Sequence, residues 1–403
     1  MKYGLLGRKL GHSYSPQIHS HLGSVPYALF EKEPEELEAF LRSGTFSGLN
    51  VTIPYKKAVI PYLDALSDTA KKLSAVNTIV CRDGKLIGHN TDYFGFRSLV
   101  EISGLVPQGK KCLVLGSGGA SNTSVAVLEE MGAEVIVISR SGENHYGNLH
   151  LHNDAAIIVN ATPVGMYPHT GQAPVSLGDF PKLEGVLDVV YNPARTQLLL
   201  DAEKLGLVAE NGLWMLVAQA KESAEWFLNR KIDDSVIGEI HRKLRLQMEN
   251  TILIGMPGSG KSTIGRLLAE QTGKKYADAD DMIVSLAGKS IPEIFRQDGE
   301  EVFRDWETKA LHQLGMESSL VIATGGGCVT RQRNYPLLHQ NGDIFWLQRD
   351  LDKLPTEGRP LSQTTALEAM YAIRRNMYAS FADHVIDNNG APEDTLRMIL
   401  TKE

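Results

Sequence analysis

The chain has 403 residues, which is enough for two or three domains that each bury a core. Hydrophobic residues make up 42% of it and charged residues 22%, as in ordinary globular proteins. No apolar run approaches the roughly 18 residues of a membrane span, and the net charge of −7 argues against a nucleic-acid surface, which is usually basic. We therefore expect small-molecule substrates as partners, and neither nucleic acid nor membrane.

The cysteines and the start of the chain predict the compartment. Cys81, Cys112 and Cys328 are far apart and form no C-x-x-C pair, which is typical of a reducing compartment without structural disulfides or zinc. A strand-like segment begins at Lys2, which leaves no room for a signal peptide. We therefore expect a cytoplasmic protein.

Short β-branched runs alternate with helical patterns along the chain, which predicts an α/β architecture with parallel sheets. In residues 1–100 we expect a strand at Lys2–Leu6 and then a helix capped by Ser15, with Pro16 in its first turn. Further strands are predicted at Tyr27–Phe30, Leu49–Thr52, Thr78–Val80 and Leu86–Gly88, the last two joined as a hairpin through Asp83-Gly84.

Four polar segments of this block are not required by core packing. They are Gly11–Pro16 (GHSYSP), Asn50–Lys56 (NVTIPYK), Ala75–Thr78 (AVNT) and Asn90–Asp92 (NTD).

Residues 101–212 have the pattern of a βαβ nucleotide-binding unit. A buried strand at Lys111–Leu115 leads into the glycine turn Gly116–Ala120 and a helix that ends near Met131. Further strands are expected at Glu134–Ile138, Ala156–Val159 and Val186–Val190. The turn GSGGAS only approximates the G-x-G-x-x-G fingerprint, so taken alone it could be a tight strand–helix turn.

The end of the second strand of this unit indicates which cofactor binds. Ser139-Arg140-Ser141 places an arginine with flanking hydroxyls where NAD-binding units carry an acidic residue, and this suits the 2′-phosphate of NADP. Glu143 argues the other way. Residues 142–153 are polar and weakly periodic, which leaves little room for the helix that usually follows.

Two helical patterns, Leu213–Phe227 and Asp234–Gln247, are expected to return to the first block. The predicted domains are therefore a substrate-binding domain at 1–100 completed by 213–247, a Rossmann-like NADP-binding domain at 101–212, and a P-loop domain at 251–403.

The third block opens with the motif G-x-x-x-x-G-K-[ST] between an apolar strand and an apolar-periodic helix. Its glycines let backbone N–H groups surround the β- and γ-phosphates, Lys261 supplies a cation, and Ser262 can hold Mg²⁺. The predicted ATP-binding residues of this loop are Gly255, Met256, Pro257, Gly258, Ser259, Gly260, Lys261, Ser262 and Thr263.

The polar motifs of the first block, together with Asn160–Met166, Asp188–Tyr191 and Gly212–Gln219, resemble the shikimate dehydrogenase family from Gly4 to about Arg245. The resemblance implies that the substrate-binding residues are Ser13, Ser15, Asn50, Thr52, Asn77, Asp92, Tyr191 and Gln219. It implies that NADP binds Gly116, Ser117, Gly118, Gly119, Ala120, Ser139, Arg140, Ser141, Thr162, Gly212 and Met215.

Lys56 matches the family's essential proton-transfer lysine. Hydride addition to a carbonyl carbon leaves an alkoxide, which a nearby ammonium can stabilise and protonate. Asp92 is expected to orient Lys56 and to bind the neighbouring hydroxyl. The alternative is that Lys56 is a solvated surface lysine like Lys57.

Other polar residues near these motifs have simpler interpretations. Ser13 and Ser15 could be helix caps only. Ser15 nevertheless favours shikimate, because relatives that also oxidise quinate tend to differ at the second serine of the pair. His12 and His89 are expected to pack or to form hydrogen bonds rather than to act as acids or bases.

Residues from Thr251 to about Asp387 resemble shikimate kinase. The resemblance implies that Asp278 assists Mg²⁺ at Ser262, and that Asp280 binds the acceptor and takes its hydroxyl proton. In the F-R-x-x-E motif, Arg304 would bind the shikimate carboxylate and Glu307 would fix that arginine.

Three further kinase positions follow from the same resemblance. Gly326 would approach the substrate, and Arg374 would be the second carboxylate clamp, with Arg375 as its rival if the register slips by one. Arg359, in EGRPL, matches a lid arginine that reaches the transferred phosphoryl group. Few residues separate Leu347 from Arg359, so a short lid is expected.

The sequence thus predicts an α/β chain with a shikimate-dehydrogenase-like substrate domain, a Rossmann NADP domain and a P-loop, nucleoside-monophosphate-kinase-like domain. The function hypothesis is a bifunctional enzyme that uses NADPH to reduce 3-dehydroshikimate, then Mg²⁺ and ATP to phosphorylate the shikimate formed, as a monomer or homodimer. The alternatives are a quinate/shikimate dehydrogenase fused to an ATP-binding regulatory module or to another small-molecule kinase, and a scaffold for other enzymes.

Overall fold

The computed structural model describes residues 2–11, 13–354 and 367–402. The contacts between residues divide the chain into two compact units. Unit 1 comprises Met1–Val164, Ala173–Tyr191 and Asp201–Lys243, and unit 2 comprises Gly165–Gln172, Asn192–Leu200 and Leu244–Glu403. Unit 2 thus includes two stretches that precede its main part, one of which carries Arg195, whose Nη2 lies 3.2 Å from Asp343 Oδ1.

The first sheet of unit 1 is mixed. Its strands are β1 (Tyr3–Gly7), β2 (Tyr27–Glu31), β3 (Gly48–Val51), β4 (Ala65–Leu66), β5 (Thr78–Arg82) and β6 (Lys85–His89), in the order β2-β1-β3-β5-β6-β4. β1 pairs in parallel with β2 and β3, whereas β5 is antiparallel to both β3 and β6. The accompanying helices are α1 (Ser15–Leu22), α2 (Leu37–Arg42), α3 (Tyr55–Ala58), α4 (Asp68–Leu73) and α5 (Asp92–Ser103).

The second sheet of unit 1 is parallel throughout, in the order β11-β10-β9-β7-β8. Its strands are β7 (Lys111–Leu115), β8 (Glu134–Ile138), β9 (Ile157–Asn160), β10 (Gly185–Asp188) and β11 (Val208–Glu210). The helices that follow in the chain are α6 (Gly119–Glu130), α7 (Gln197–Lys204), α8 (Leu213–Leu228) and α9 (Ser235–Met248).

Unit 2 contains a second parallel sheet, in the order β13-β14-β12-β15-β16. Its strands are β12 (Asn250–Ile254), β13 (Lys275–Asp278), β14 (Leu320–Ala323), β15 (Gly342–Gln348) and β16 (His384–Asp387). Its described helices are α10 (Lys261–Thr272), α11 (Ala279–Ala287), α12 (Ile291–Gln297), α13 (Gly299–Met316), α14 (Asn334–His339), α15 (Leu367–Phe381) and α16 (Pro392–Leu400).

The central strands of both parallel sheets are buried on both faces. Every residue of β9, β12 and β14 is buried, and these strands are rich in isoleucine, leucine and valine. Such continuous apolar runs are typical of strands covered by helices on two sides, and they leave polar side chains to the loops at the strand ends. The predicted α/β class with parallel sheets is confirmed.

The structure corrects one local prediction and agrees with another. Ser15 does not cap α1: it is the first helical residue, Tyr14 occupies the N-cap position, and no side-chain cap bond is made there. Residues 142–153 contain a 3-10 helix at Tyr146–His152 in place of an α-helix. Among the described residues, no helix combines the length and apolar character that crossing a membrane requires.

Candidate active sites

A cavity of about 300 Å³ in unit 1 gathers residues from the ends of strands and from five helices, α1, α3, α5, α6 and α8. Asn50 and Thr52 come from the end of β3, Asp92 is the first residue of α5, and Gln219 lies in α8. The residues predicted to bind the substrate or transfer its proton all line this cavity: Ser13, Ser15, Asn50, Thr52, Lys56, Asn77, Asp92, Tyr191 and Gln219.

Lys56 and Asp92 form an ion pair in this cavity. Lys56 Nζ lies 2.6 Å from Asp92 Oδ2, with 31% of the lysine side chain and 17% of the aspartate side chain exposed. Asn77 Nδ2 donates to Asp92 Oδ1 at 2.9 Å and to Gln219 Oε1 at 3.4 Å. The ammonium is therefore held at a defined position, whereas Lys57 is exposed to solvent.

His89 has the environment of a packing residue. Its ring stacks on Trp226 with a centroid distance of 3.7 Å. Burial, and then the charge of Arg82, lower the pKa of His89 to about 4, so the imidazole is neutral near pH 7. His12, the other histidine considered, lies outside the described residues.

Sequence reasoning assigned no role to four residues beneath this cavity: Tyr27, Thr78, Thr91 and Ser223. Their hydroxyls bond to Asn50, Asn77 and one another. Thr78 and Thr91 adjoin Asn77 and Asp92 in the chain, and Ser223 follows Gln219 by four residues, which puts both on one face of α8. That helical spacing is the signal that could have identified Ser223.

The glycine turn after β7 leaves open space where a dinucleotide phosphate would lie. A Cβ added at Gly118 or Gly119 would meet no atom within 4 Å, and Gly119 begins the 12-residue helix α6. Gly116 has φ +107°, and a Cβ there would lie 3.1 Å from the carbonyl oxygen of Ala161. A glycine cradle at a helix N-terminus fits a pyrophosphate, so these residues fit NADP.

The other predicted NADP residues fall into three places. Ala120, Gly212 and Met215 line the substrate cavity, whereas Thr162 donates through Oγ1 to Asn160 Oδ1 at 2.6 Å. Ser139, Arg140 and Ser141 follow β8, and Arg140 is exposed. The short loop turns back there, since the Ser139 N–H donates to the Asn144 carbonyl oxygen at 3.1 Å.

A cavity of about 650 Å³ in unit 2 gathers most of the predicted kinase residues. Those that line it are Pro257, Gly258, Gly260, Lys261, Ser262, Thr263, Asp278, Asp280, Arg304, Gly326 and Arg374. Gly255, Met256 and Ser259 are buried. Arg359 lies outside the described residues.

The loop between β12 and α10 has the backbone form that glycine permits. Gly255, Gly258 and Gly260 have φ of 147°, 86° and 92°, all in the left-handed region. Lys261 Nζ donates to the carbonyl oxygens of Gly255 and Met256, each at 3.0 Å. The ammonium is thus drawn into the loop, where backbone N–H groups and a cation suit a triphosphate.

Ser262 and Asp278 lie side by side beneath this loop. Ser262 Oγ donates to Asp278 Oδ2 at 3.3 Å, and the Tyr276 hydroxyl donates to the same oxygen at 2.7 Å. One hydroxyl and one carboxylate are the small protein donor set that Mg²⁺ often uses, with water and phosphate as its other ligands. No group of three or more His, Cys, Asp or Glu suited to a metal occurs among residues 2–11, 13–354 and 367–402.

Asp280 faces a buried arginine–glutamate pair. Burial, and then the negative charge of Asp278, raise the pKa of Asp280 above its ordinary value of 3.8. Arg304 is 4% exposed, and its Nη1 donates to Glu307 Oε2 at 2.8 Å. Glu307 is fully buried, and burial raises its pKa although Arg304 acts in the opposite direction. The guanidinium therefore has a fixed place in the cavity wall.

Arg374, rather than Arg375, points into the cavity. Arg374 is 8% exposed, and its Nη1 donates to the Gly326 carbonyl oxygen at 3.1 Å, an oxygen that the Tyr378 hydroxyl also contacts. Arg375 is exposed. Arg349 and Lys353, for which sequence reasoning had no role, also line the cavity.

Comparisons with known proteins assign the two halves of the chain separately. Residues 5–79 match the family model for the shikimate dehydrogenase substrate binding domain, and residues 257–402 match the model for shikimate kinase. The NADP(+)-dependent shikimate dehydrogenase of Clostridium perfringens is 37% identical over 265 residues, which cover 60% of this chain and 98% of that protein.

Solved structures agree with this assignment of the first half. Shikimate dehydrogenase 1 from Peptoclostridium difficile is 38% identical with a TM-score of 0.56, and the match covers 61% of this chain and 98% of that one. Shikimate 5-dehydrogenase from Thermus thermophilus, solved with NADP(H) and shikimate, is 31% identical with a TM-score of 0.55, over 60% of this chain and 99% of that one.

Proposed function

Because the chain belongs to the shikimate dehydrogenase family and also carries a shikimate kinase domain, we propose that it is a bifunctional enzyme with two consecutive reactions. The first is reduction of 3-dehydroshikimate to shikimate with NADPH. The second is phosphorylation of shikimate to shikimate 3-phosphate with ATP and Mg²⁺. The observation that carries this proposal is that each half gathers its predicted residues around one cavity.

In the dehydrogenase half, the chain's own residues bind the substrate and move one proton. Bound NADPH supplies a hydride to the carbonyl carbon of the substrate. The carbonyl oxygen becomes negative as the C=O π bond breaks, and the Lys56 ammonium 2.6 Å from Asp92 gives it a proton. Asp92 holds the ammonium and accepts from the adjacent substrate hydroxyl. Asn50, Asn77 and Gln219 bind the remaining polar groups.

The cofactor choice of NADP over NAD rests on Arg140. A guanidinium can pair with the 2′-phosphate and stack on adenine, and the flanking Ser139 and Ser141 hydroxyls can donate to the same phosphate. Arg140 is exposed directly after β8, where it is accessible to a bound cofactor. We therefore assign the 2′-phosphate to this loop.

In the kinase half, catalysis depends on positioning the two substrates and on neutralising the negative charge of the phosphates. Asp280 accepts the proton of the 3-hydroxyl as that oxygen bonds to the γ-phosphorus, while the bond from phosphorus to the bridging oxygen of ADP breaks. Lys261 and the loop N–H groups neutralise the phosphates, and Ser262 and Asp278 would hold Mg²⁺ there. Arg304 and Arg374 bind the substrate carboxylate as two separate cations. We assign Arg359 to the transferred phosphoryl group.

Two separate assays test the proposal. NADPH oxidation is followed with 3-dehydroshikimate alone, and ADP release is followed with shikimate, ATP and Mg²⁺. We expect both activities, with shikimate preferred over quinate in the reverse dehydrogenase reaction. Binding of ATP without ADP release would instead support a regulatory nucleotide module. The cytoplasmic location and the monomeric or homodimeric state stay predictions.

A further inference from the structure

We propose that Ser223, a buried serine outside the predicted site, is a positioning residue of the dehydrogenase. Its hydroxyl fixes the orientation of two amide side chains that face the substrate, Asn50 and Asn77. The inference rests on the proposed dehydrogenase activity, since it concerns how tightly that site binds 3-dehydroshikimate.

Ser223 lies in α8 at the junction of four parts of unit 1. It is fully buried. Asn50 Nδ2, at the end of β3, lies 2.8 Å from Ser223 Oγ. The hydroxyls of Thr78 in β5 and Thr91 before α5 lie at 2.7 and 2.9 Å from the same oxygen. One hydroxyl thus joins β3, β5 and the start of α5 to α8.

Proton accounting fixes the direction of the Asn50 bond. A serine hydroxyl has a single proton, and Ser223 donates it to the Gln219 carbonyl oxygen at 2.9 Å. Ser223 Oγ must therefore accept from Asn50, so the NH₂ group of Asn50 faces Ser223. The Asn50 oxygen then faces the Tyr27 hydroxyl, which donates to it at 2.8 Å. The amide is held at both ends, and a flip would require the Ser223 and Tyr27 hydroxyls both to exchange donor and acceptor roles.

Asn77 is oriented by the same network. Its Oδ1 accepts from the Thr91 N–H at 2.7 Å, and the Thr78 and Thr91 hydroxyls each lie 3.2 Å from it. With the oxygen turned to the Thr91 N–H, the Asn77 NH₂ group faces Asp92 Oδ1 at 2.9 Å. The hydroxyl cluster beneath the cavity therefore sets both the donor that faces the catalytic carboxylate and the position of Asn50.

Core packing alone does not require such a cluster. Thr78, Thr91 and Ser223 are at most 1% exposed, and an alanine or valine in their place would bury no polar atoms. A buried amide that loses its partner instead keeps an unpaired N–H or finds another orientation. We therefore expect the loss of the Ser223 hydroxyl to weaken substrate binding more than it weakens cofactor binding.

The test compares three variants in the full chain. Ser223→Ala removes the nearest acceptor for Asn50 Nδ2, at 2.8 Å, and leaves the Thr78 hydroxyl at 3.3 Å, whereas Tyr27→Phe removes the donor at the other end of the same amide while keeping the ring. Ser124→Ala is the matched control, because Ser124 is equally buried and makes the same kind of helix bond, to the Ala120 carbonyl oxygen at 3.0 Å. KM and kcat are measured for 3-dehydroshikimate and for NADPH, together with kinase activity.

We expect Ser223→Ala and Tyr27→Phe each to raise KM for 3-dehydroshikimate about tenfold, the effect of roughly one lost hydrogen bond. KM for NADPH and kinase activity stay within about twofold of wild type, and Ser124→Ala behaves as wild type. The double variant raises KM by less than the product of the single changes, because both act on one amide.

Several results would count against the proposal or against the function on which it rests. An unchanged substrate KM in Ser223→Ala, or an equal rise in both KM values, would assign Ser223 a structural role only. A double variant whose effects multiply would show that the two residues act independently. If Ser223→Ala does not fold, an unchanged KM in Tyr27→Phe overturns the proposal instead. Absence of wild-type dehydrogenase activity would overturn the proposed function itself, which the other results leave intact.

Discussion

The Lys56 ammonium lies 2.6 Å from a carboxylate oxygen of Asp92, a residue 36 positions later in the chain. The other oxygen of Asp92 accepts from the Asn77 amide at 2.9 Å. Asp92 is also the first residue of α5, where a negative charge is favoured by the helix dipole. Asp92 therefore fixes the position of Lys56, and Asp92 is in turn fixed by Asn77 and by its place at the start of α5. A proton donor needs such a fixed position to stay at a constant distance from the substrate.

Replacing Lys56 with alanine should lower kcat for dehydrogenation by at least about 10²-fold, the range of lost general acid catalysis. Kinase activity should be unchanged, because Lys56 lies in unit 1 and the kinase cavity lies in unit 2. The matched control is Lys57→Ala, which removes an exposed lysine from the same helix. Equal losses in both variants, or a wild-type rate for Lys56→Ala, would remove Lys56 from the mechanism.

The Arg140→Ala variant should raise KM for NADPH far more than KM for NADH, with kcat little changed. Only NADPH carries the 2′-phosphate, and a contact made equally in ground and transition states appears in KM. Steady-state kinetics with both cofactors measure this. If the preference for NADPH over NADH persists, another cation of the short 142–153 loop binds the phosphate.

The sequence predicted those parts of the fold and of the site that depend on short motifs and on apolar periodicity. The strand β7 and the glycine turn after it were expected where they occur, because a buried apolar run followed by glycines has few other structures. The predicted substrate residues line one cavity, and several of them, such as Asn50, Thr52 and Tyr191, lie at or just after the end of a strand.

Contacts between distant segments could not be predicted in the same way. Ser223 meets Thr78 across 145 positions, and only the packing of α8 beneath the first sheet brings them together. The prediction that Ser15 caps α1 was also wrong. Serine favours the N-cap position, but the backbone of Tyr14 takes that position here.

The pH dependence of the kinase should reflect Asp280. A carboxylate acts as a base only when ionised, and burial followed by the charge of Asp278 raises the pKa of Asp280. The kcat/KM for shikimate should therefore fall, as pH is lowered, at a pH above 3.8, the ordinary pKa of an aspartate.

Asp280→Asn and Lys261→Ala should each lower the rate of phosphoryl transfer by at least about 10²-fold.

The neighbouring Asp281 offers a mild probe of the same group. Its negative charge is another cause that raises the pKa of Asp280, and its side chain is exposed. Asp281→Asn should therefore keep kinase activity, and its kcat/KM for shikimate should fall at a lower pH than that of the wild type. If this variant is fully active and its kcat/KM falls at the same pH as that of the wild type, a group other than Asp280 controls the pH dependence.

Gly327 should be required for the position of Arg304. A Cβ at Gly327 would lie 2.1 Å from Arg304 Nη1, the far end of a flexible side chain. Gly327→Ala should thus displace the guanidinium from Glu307, lower the stability of the protein because Glu307 stays buried without its partner, and raise KM for shikimate by more than about tenfold. In the control Gly390→Ala, the nearest atom would be 3.8 Å away. A wild-type KM in Gly327→Ala would argue against a carboxylate contact from Arg304.

The central claim is that one chain reduces 3-dehydroshikimate and phosphorylates the product. One reaction tests it: the protein is mixed with 3-dehydroshikimate, NADPH, ATP and Mg²⁺, and NADPH loss and ADP release are recorded separately. We predict NADPH loss from the start and ADP release after a lag, with ADP release absent when NADPH is omitted. NADPH loss without ADP release, or ADP release that does not depend on NADPH, would contradict the account.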